Sequence, residues 1–97
     1  MAATAVQTAM IKLADDFGSV LTGRSVAESL RLRIQELAEH GDVVVDFEGV
    51  VAVSPSFADE LFAKLDERAT ASVRFVNVDD DLQQLAEFVR AGRQQPA

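Results

Sequence analysis

The chain has no cysteine, tryptophan or tyrosine, and its 97 residues include one histidine and two prolines. The absence of cysteine excludes disulfides, thiolate metal sites and thiol nucleophiles, and it is compatible with the cytoplasm. Basic residues are scarce as well, because nine Lys and Arg stand against sixteen Asp and Glu, which gives a net charge of −7. Nucleic-acid binding needs clustered positive charge, so we expect no nucleic acid among the partners.

Long apolar runs are also missing. No stretch of the chain approaches the roughly 20 apolar residues that a membrane-spanning helix needs. The first eight residues lack both the basic region and the apolar region of a secretory signal. We therefore expect a cytoplasmic protein that has no membrane partner.

Residue patterns suited to catalysis are few. The lone His40 stands beside Gly41, which we expect to end a helix, and the chain has no Gly-rich phosphate loop. No Ser, His and acid occur in an arrangement that a small fold would bring together. The acidic run 79–81 is expected to serve as a helix start, because consecutive acids there point in different directions. We therefore predict no enzyme activity, no cofactor and no metal site.

The apolar content, 48% with six Phe, is enough for one domain over residues 1–97. We expect its core at about 8–91, with frayed ends at 1–6 and 92–97. Residues 8–13 alternate between two faces, which predicts a half-buried strand. An acidic turn at 15–16 should follow it, and then either a short returning strand or an irregular passage through Val20 and Leu21.

The first helix is expected to begin at Ser25, which would form a capping box with Glu28. Gly41 would end it in the left-handed conformation that glycine tolerates. Its apolar residues recur at steps of three and four along one face. They are Val26, Leu30, Ile34, Leu37 and Ala38.

Residues 43–62 contain the densest β-branched run and the clearest helix start in the chain. Alternate residues from 43 to 47 share one face, which predicts a buried strand with Asp46 near its C-terminal end. A carboxylate at that point can accept hydrogen bonds from amides of the following turn at Glu48 and Gly49. We therefore assign Asp46 and Gly49 a structural role in the turn.

The second helix has two candidate caps. Either Ser54 caps it with Pro55 at the first helical position, or Ser56 caps it with Asp59 closing a box. Its apolar stripe comprises Phe57, Leu61 and Leu65, widened by Ala58, Phe62 and Ala69. On its outer surface, Glu60 and Lys64 are expected to form an exposed ion pair worth about 0.2–0.5 kcal/mol.

The last third of the chain repeats the pattern of strand and helix. Residues 73–78 alternate as a strand, and the acids at 79–81 should cap the final helix. The core stripe of that helix comprises Leu82, Leu85, Ala86 and Val89, with Phe88 at its edge.

The element order predicts an α/β fold: a single small domain with a three- to four-stranded, mostly parallel or mixed sheet and three helices. All three helix N-termini would then lie at one edge of the sheet, which would bring residues 24–25, 54–56 and 79–80 together. Arg24 would either complete an anion pocket there or form an ion pair with Asp46 or Asp79.

The segment "DFEGV" at 46–50, followed by "SFADELF" at 56–62, resembles the signature of the STAS-like domains of unknown function. Arg24 and Ser25, before the first helix, are similar to an upstream element of that family. The resemblance covers about residues 24–78 and implies a STAS-like fold.

More remotely, the pattern is similar to the STAS domains of anti-sigma factor antagonists. In that family a partner kinase phosphorylates a serine at a helix N-terminus and so controls its own binding, and Ser56 matches the position of that serine. The chain differs from the antagonist pattern at three places. Ser54 stands in place of an Asp, Pro55 precedes the serine, and Phe57 stands in place of a Gly.

These observations lead to a first functional hypothesis. Under this hypothesis, the protein is a non-catalytic regulatory module that binds a signalling protein through Arg24, Ser54, Ser56 and Asp59. The resemblance implies a histidine-kinase-like ATPase as the partner and Ser56 as the phosphorylation site.

Two alternatives come from other classes of protein. One is a small anion or nucleotide sensor that uses the helix N-termini. The other is a homodimer or larger homo-oligomeric scaffold, assembled on the sheet face opposite the helices. That face would carry Met10, Val44, Val76 and Val78.

Overall fold

The computed structural model describes residues 8–65 and 67–94. The strands are β1 Thr8–Lys12, β2 Val20–Leu21, β3 Asp42–Asp46, β4 Ala52–Val53 and β5 Val73–Val76. The α-helices are α1 Leu13–Phe17, α2 Arg24–Ala38, α3 Pro55–Ala58, α4 Glu67–Thr70 and α5 Asp80–Gln94. A π-helical segment, Asp59–Ala63, continues directly from α3. The predicted frayed ends lie outside the described residues at 1–6 and 95–97, whereas α5 extends to Gln94.

Two parallel sheets confirm the α/β class. The main sheet has the order β1-β3-β5, with Ile11 beside Val45 and Val45 beside Phe75. A second, two-stranded sheet pairs β2 with β4. The returning strand through Val20 therefore forms, but it does not form a hairpin with β1. Strand β4 follows the Gly49 turn and is the parallel neighbour of β2.

Strand register decides which residues enter the core. Ile11, Val43 and Val45 are buried at 2%, 0% and 0% exposure, on the face that α2 covers. Their neighbours Met10 and Val44 point to the opposite face, where Met10 is exposed and Val44 is half-buried. The whole core cluster comprises Ile11, Leu13, Leu21, Ala27, Leu30, Ile34, Val43, Val45, Phe47, Phe57, Ala58, Leu61, Phe62, Leu65, Ala69, Leu82, Ala86 and Val89. Val78, expected on the open face, packs against this cluster instead.

Three phenylalanines join the sheet to the helix layer. The ring of Phe62, in the π-helical segment, lies 5.9 Å from that of Phe47 and 5.1 Å from that of Phe75. The two rings at the sheet, Phe47 and Phe75, are 6.1 Å apart. Aromatic pairs at these distances add to the stability that burial of apolar area provides.

The start and end of α2 differ from the prediction. The helix begins at Arg24 after Gly23, whose φ of 94° turns the chain, and no side-chain cap forms. The prediction of a capping box formed by Ser25 and Glu28 was therefore wrong. Val26 is 41% exposed, because Ala27, three residues before Leu30, takes the inward position.

The end of α2 closes without a left-handed glycine. The amides of Glu39 and His40 donate to the carbonyls of Glu36 and Leu37, at 3.2 and 3.0 Å. These tight i to i−3 bonds satisfy the last carbonyls, so a left-handed Gly41 is not required. Among the described residues, Gly41 is absent from those with positive φ.

Two further segments are shorter or more irregular than predicted. The acidic turn after β1 is the short helix α1, which contains Asp15 and Asp16. The second predicted helix is interrupted: α3 passes into the π-helical segment, and α4 is separate. Its predicted stripe is nevertheless buried throughout, from Phe57 at 0% to Leu65 at 8% exposure.

Candidate functional site

The junction between β4 and α3 is shaped by two serines around a proline. Ser54 has extended φ and ψ of −74° and 153°, and Pro55 occupies the first helical position. Ser54 Oγ accepts a hydrogen bond from the amide of Phe57 at 3.2 Å. Of the two candidate caps, Ser54 is therefore the one that forms. Ser56 Oγ lies 3.2 Å from Ser54 Oγ and caps no amide of this helix in the described contacts.

A groove of about 510 Å³ opens beside this junction. We call it the Arg24–Ser56 groove; it is lined by Arg24, Pro55, Ser56, Asp59, Phe88, Val89 and Gly92. Three of the residues predicted to form a binding edge thus meet, namely Arg24, Ser56 and Asp59. Phe88 lies in the same groove with 75% of its surface exposed.

Arg24 links the start of α2 to the π-helical segment. Its Nη1 donates to Asp59 Oδ2 at 2.9 Å and to Glu60 Oε1 at 3.3 Å. The hydrogen bond to Asp59 has the largest effect on the pKa of Arg24 and raises it above its ordinary value, and the bond to Glu60 adds to this rise. Half of the side chain stays exposed.

Of the two alternatives for Arg24, the ion pair with Asp46 or Asp79 does not form, because Arg24 pairs with Asp59 and Glu60. The carboxylates of Asp46 and Asp79 are engaged elsewhere. Asp46 Oδ1 accepts from Asn77 Nδ2 and from the amide of Glu48, and Asp79 Oδ1 accepts from the amide of Leu82.

Glu60 is a buried charge that the sequence pattern placed at the surface. It is 1% exposed and is the one buried charged residue among those whose burial the structure describes. Its carboxylate accepts from Lys64 Nζ at 2.9 Å, from Arg24 at 3.3 Å and from Arg31 Nη2 at 3.3 Å. These hydrogen bonds lower the pKa of Glu60, and the bond from Lys64 has the largest effect. Burial of the carboxylate opposes the change but does not cancel it.

The predicted exposed pair of Glu60 and Lys64 is therefore half right: the pair forms, but its carboxylate is buried. A spacing of four residues is typical of ion pairs on a helix surface, so the spacing alone predicted an exposed Glu60. A signal was nonetheless available, because Glu60 stands three residues after Phe57 and directly before Leu61, both of which are buried.

The turn after β3 is fixed by Asp46 and Gly49. Asp46 Oδ1 lies 2.9 Å from the Glu48 amide and 2.7 Å from Asn77 Nδ2. The Asn77 bond first, and the Glu48 bond second, lower the pKa of Asp46. Gly49 has a φ of 86°, and a Cβ there would lie 3.1 Å from that of Ala14. A side chain at position 49 would thus be both strained and crowded.

The three helix N-termini do not converge as expected. Asp79 caps α5 and lines a separate pocket of about 240 Å³, together with Asp81 and residues 50–53. The part of α5 that reaches the Arg24–Ser56 groove begins at Phe88, about 12 Å further along the helix than its start. The expectation fails because α5 packs against the π-helical segment and α3, and its later residues, not its start, line the groove beside α3.

Two features are absent from residues 8–65 and 67–94, the part of the chain that the structure describes. No group of three His, Cys, Asp or Glu side chains there is placed to hold a metal ion. Within that part of the chain, no helix combines the length and the apolar character needed to cross a bilayer.

Comparison with known proteins assigns the chain to a family. The family model described as STAS-like domain of unknown function matches residues 26–83. The matched segment includes Ser54, Ser56, Asp59 and Glu60. No curated protein and no solved structure matches the chain.

Proposed function

Because the chain belongs to the family of STAS-like domains of unknown function, we propose that it is a non-catalytic regulatory module. The module binds a signalling protein through the Arg24–Ser56 groove, and phosphorylation of Ser56 controls that binding. The remote resemblance to the STAS domains of anti-sigma factor antagonists suggests a histidine-kinase-like ATPase as the partner.

One observation supports this proposal above the rest. An aromatic side chain with 75% of its surface in solvent, Phe88, lines the same groove as a half-exposed arginine and a serine. Aromatic and arginine side chains are the residues that most often dominate the free energy of protein association. The groove is open and is built from α2, α3, the π-helical segment and α5, which suits a protein surface better than a small ligand.

The position of Ser56 suits a regulatory modification. Because Ser54 is the cap, a phosphate on Ser56 leaves the Phe57 amide bond in place. The phosphate would bring up to two negative charges beside Arg24, which attracts them, and Asp59, which repels them. The change in charge would therefore fall on the groove and not on the core.

The anion sensor receives less support from the site. Its helix N-termini lie apart, since Asp79 is in a different pocket from Arg24. In addition, the Phe57 amide already binds the Ser54 hydroxyl. A homo-oligomer on the open sheet face, which carries the exposed Met10, is the alternative outcome of the test below.

Affinity capture with matched baits tests the proposal. Immobilised wild type, Phe88→Ala and Leu32→Ala are incubated with lysate of the source cells, and bound proteins are quantified by mass spectrometry. Leu32 is the control because it is 52% exposed on α2 and lies outside the groove. We expect one stoichiometric protein with wild type and Leu32→Ala that is depleted from Phe88→Ala. Equal capture by all three baits would contradict the proposed site, and native mass spectrometry would reveal a dimer or a ligand adduct instead.

A further inference from the structure

Arg24 stands where a helix disfavours a cation. It is the first residue of α2, and the positive end of the helix dipole lies there. Placing a positive charge at that end is unfavourable, because it is repelled by the partial positive charge of the unpaired amides. Asp59 and Glu60 offset the effect, because both accept hydrogen bonds from this guanidinium. A residue that departs from a local rule is a candidate for a functional role.

The two bonds leave half of the guanidinium unused. Both start from Nη1, at 2.9 and 3.3 Å, so Nη2 and Nε make neither of them. An arginine side chain presents donors in a planar fork that matches the two oxygens of a carboxylate. Half of the Arg24 side chain is exposed, and the residue lines the groove.

The ion pairs around Arg24 contain more cations than carboxylates, although the chain as a whole is acidic. Three cations, Arg24, Arg31 and Lys64, contact two carboxylates, those of Asp59 and Glu60. The whole chain carries −7. An acid-rich partner would therefore be repelled at long range, whereas a single carboxylate next to Arg24 would be attracted.

From this arrangement we infer the chemistry of the partner, on the basis of the proposed function. The Arg24–Ser56 groove binds a protein segment that carries a single Asp or Glu close to an aliphatic or aromatic side chain. The carboxylate binds the free edge of the Arg24 guanidinium, and the apolar side chain packs against Phe88 and Pro55.

A phage-displayed library of random 12-residue peptides provides the probe. Selection uses wild type as the target and Phe88→Ala for counter-selection, so that enriched peptides depend on the groove. We expect them to share one acidic residue near Leu, Ile, Met or Phe. Basic enriched peptides, or enriched peptides without an acid, would overturn the inference.

A double-mutant cycle then tests the contact itself. The tightest peptide and its twin with the acid changed to the amide are titrated by calorimetry against wild type, Arg24→Gln, Arg24→Lys and Arg33→Gln. For wild type we expect the amide twin to bind about 10-fold more weakly, as for loss of a charge-assisted hydrogen bond. Arg33 is exposed on α2 outside the groove. The Arg33→Gln variant should therefore bind the amide twin about 10-fold more weakly than the acidic peptide, as wild type does.

With Arg24→Gln, the acidic and amide peptides should bind equally. Arg24→Lys keeps the charge but not the fork, and it should restore only part of the difference. An unchanged 10-fold preference with Arg24→Gln would overturn the inference while leaving a protein-binding groove in place. Failure to enrich any peptide over the Phe88→Ala counter-selection would overturn the inference, whereas the affinity capture with matched baits decides the proposed function.

Discussion

Two serines at the start of α3 have different roles. Ser54 Oγ accepts the Phe57 amide, whereas Ser56 contacts the other hydroxyl and faces the groove. Ser54→Ala should therefore lower the free energy of unfolding by about 0.5–2 kcal/mol, as other serine caps do. Ser56→Ala should lower it by much less. Urea denaturation of both variants measures the difference, and equal losses would show that the cap is shared.

The buried carboxylate of Glu60 binds three cations. Replacement by Gln would leave Arg31, whose side chain is only 15% exposed, with a weaker partner. Lys64 and Arg24 reach water more easily, at 35% and 50% exposure, which limits the loss. We expect Glu60→Gln to destabilise the fold by about 1–3 kcal/mol in denaturant titrations. The exposed Glu28→Gln is the control and should change stability by less than about 0.5 kcal/mol.

The same carboxylate should make stability depend on pH. The pKa of Glu60 is lower in the folded state than its ordinary value of 4.5. The stability that it contributes is therefore fully present above that value and is lost as the pH falls through the folded-state pKa. Thermal melts below about pH 5 should show a steeper loss for wild type than for Glu60→Gln. The pKa of Asp46 is also lowered, so Asp46 causes a loss of stability at low pH in wild type and in Glu60→Gln alike. Parallel curves of melting temperature against pH for the two proteins would therefore contradict a role for Glu60.

The sequence could predict individual side chains where they depend on near neighbours. Asp79 caps the last helix as expected, and Asp46 accepts the Glu48 amide two residues later. Glu60 was missed because its burial depends on Arg24 and Arg31, 36 and 29 residues away. Contacts over such a separation leave no periodic signal in the sequence.

The strands and helices of the main layer were more predictable. The alternation around Val45 and the stripe around Leu61 correspond to buried faces, since both residues have 0% exposure. The π-helical segment was not predicted, because its residues have the composition of an ordinary α-helix. The pairing of β2 with β4 was missed as well, since a strand of two residues carries almost no period.

The contact between sheet and helices should dominate the stability of the fold. Phe47 is 2% exposed and Leu61 is 0% exposed, and each fills space between the two layers. Phe47→Ala or Leu61→Ala should therefore lower the free energy of unfolding by about 2–5 kcal/mol, because each leaves a cavity. Phe88→Ala, at an exposed site, serves as the control. Losses below about 1 kcal/mol for both core variants in urea titrations would contradict the two-layer packing.

The Arg24–Ser56 groove exists only when the complete fold brings distant segments together. Arg24 opens α2, Ser56 lies in α3, and Phe88 lies in the second half of α5. The sequence could predict that Arg24 and Ser56 approach each other, because both stand at helix starts. It placed Phe88 only at the edge of its helix, since the crossing of α5 over the π-helical segment is set by packing.

The charge of the whole molecule bears on how Ser56 would regulate binding. The chain carries −7, and Arg24 is the cation that lines the groove among the described residues. A further negative charge at Ser56 would compete for Arg24 with a carboxylate of the partner. It would also bring a hydrated group into an interface that has to lose water. Modification at this one position would therefore oppose docking through competition for Arg24 and through the cost of desolvation.

Ser56→Glu should accordingly keep the fold and weaken binding to the captured partner. The fold is expected to persist because the charge lies at a helix N-terminus, where the dipole is favourable. Calorimetric titration of wild type, Ser56→Ala and Ser56→Glu, with thermal melts in parallel, separates the two effects. We expect Ser56→Ala to bind like wild type and Ser56→Glu to bind at least about 10-fold more weakly, which corresponds to roughly 1.4 kcal/mol. Equal affinity of all three proteins would exclude Ser56 from the binding surface and leave its contact with Ser54 as its only role.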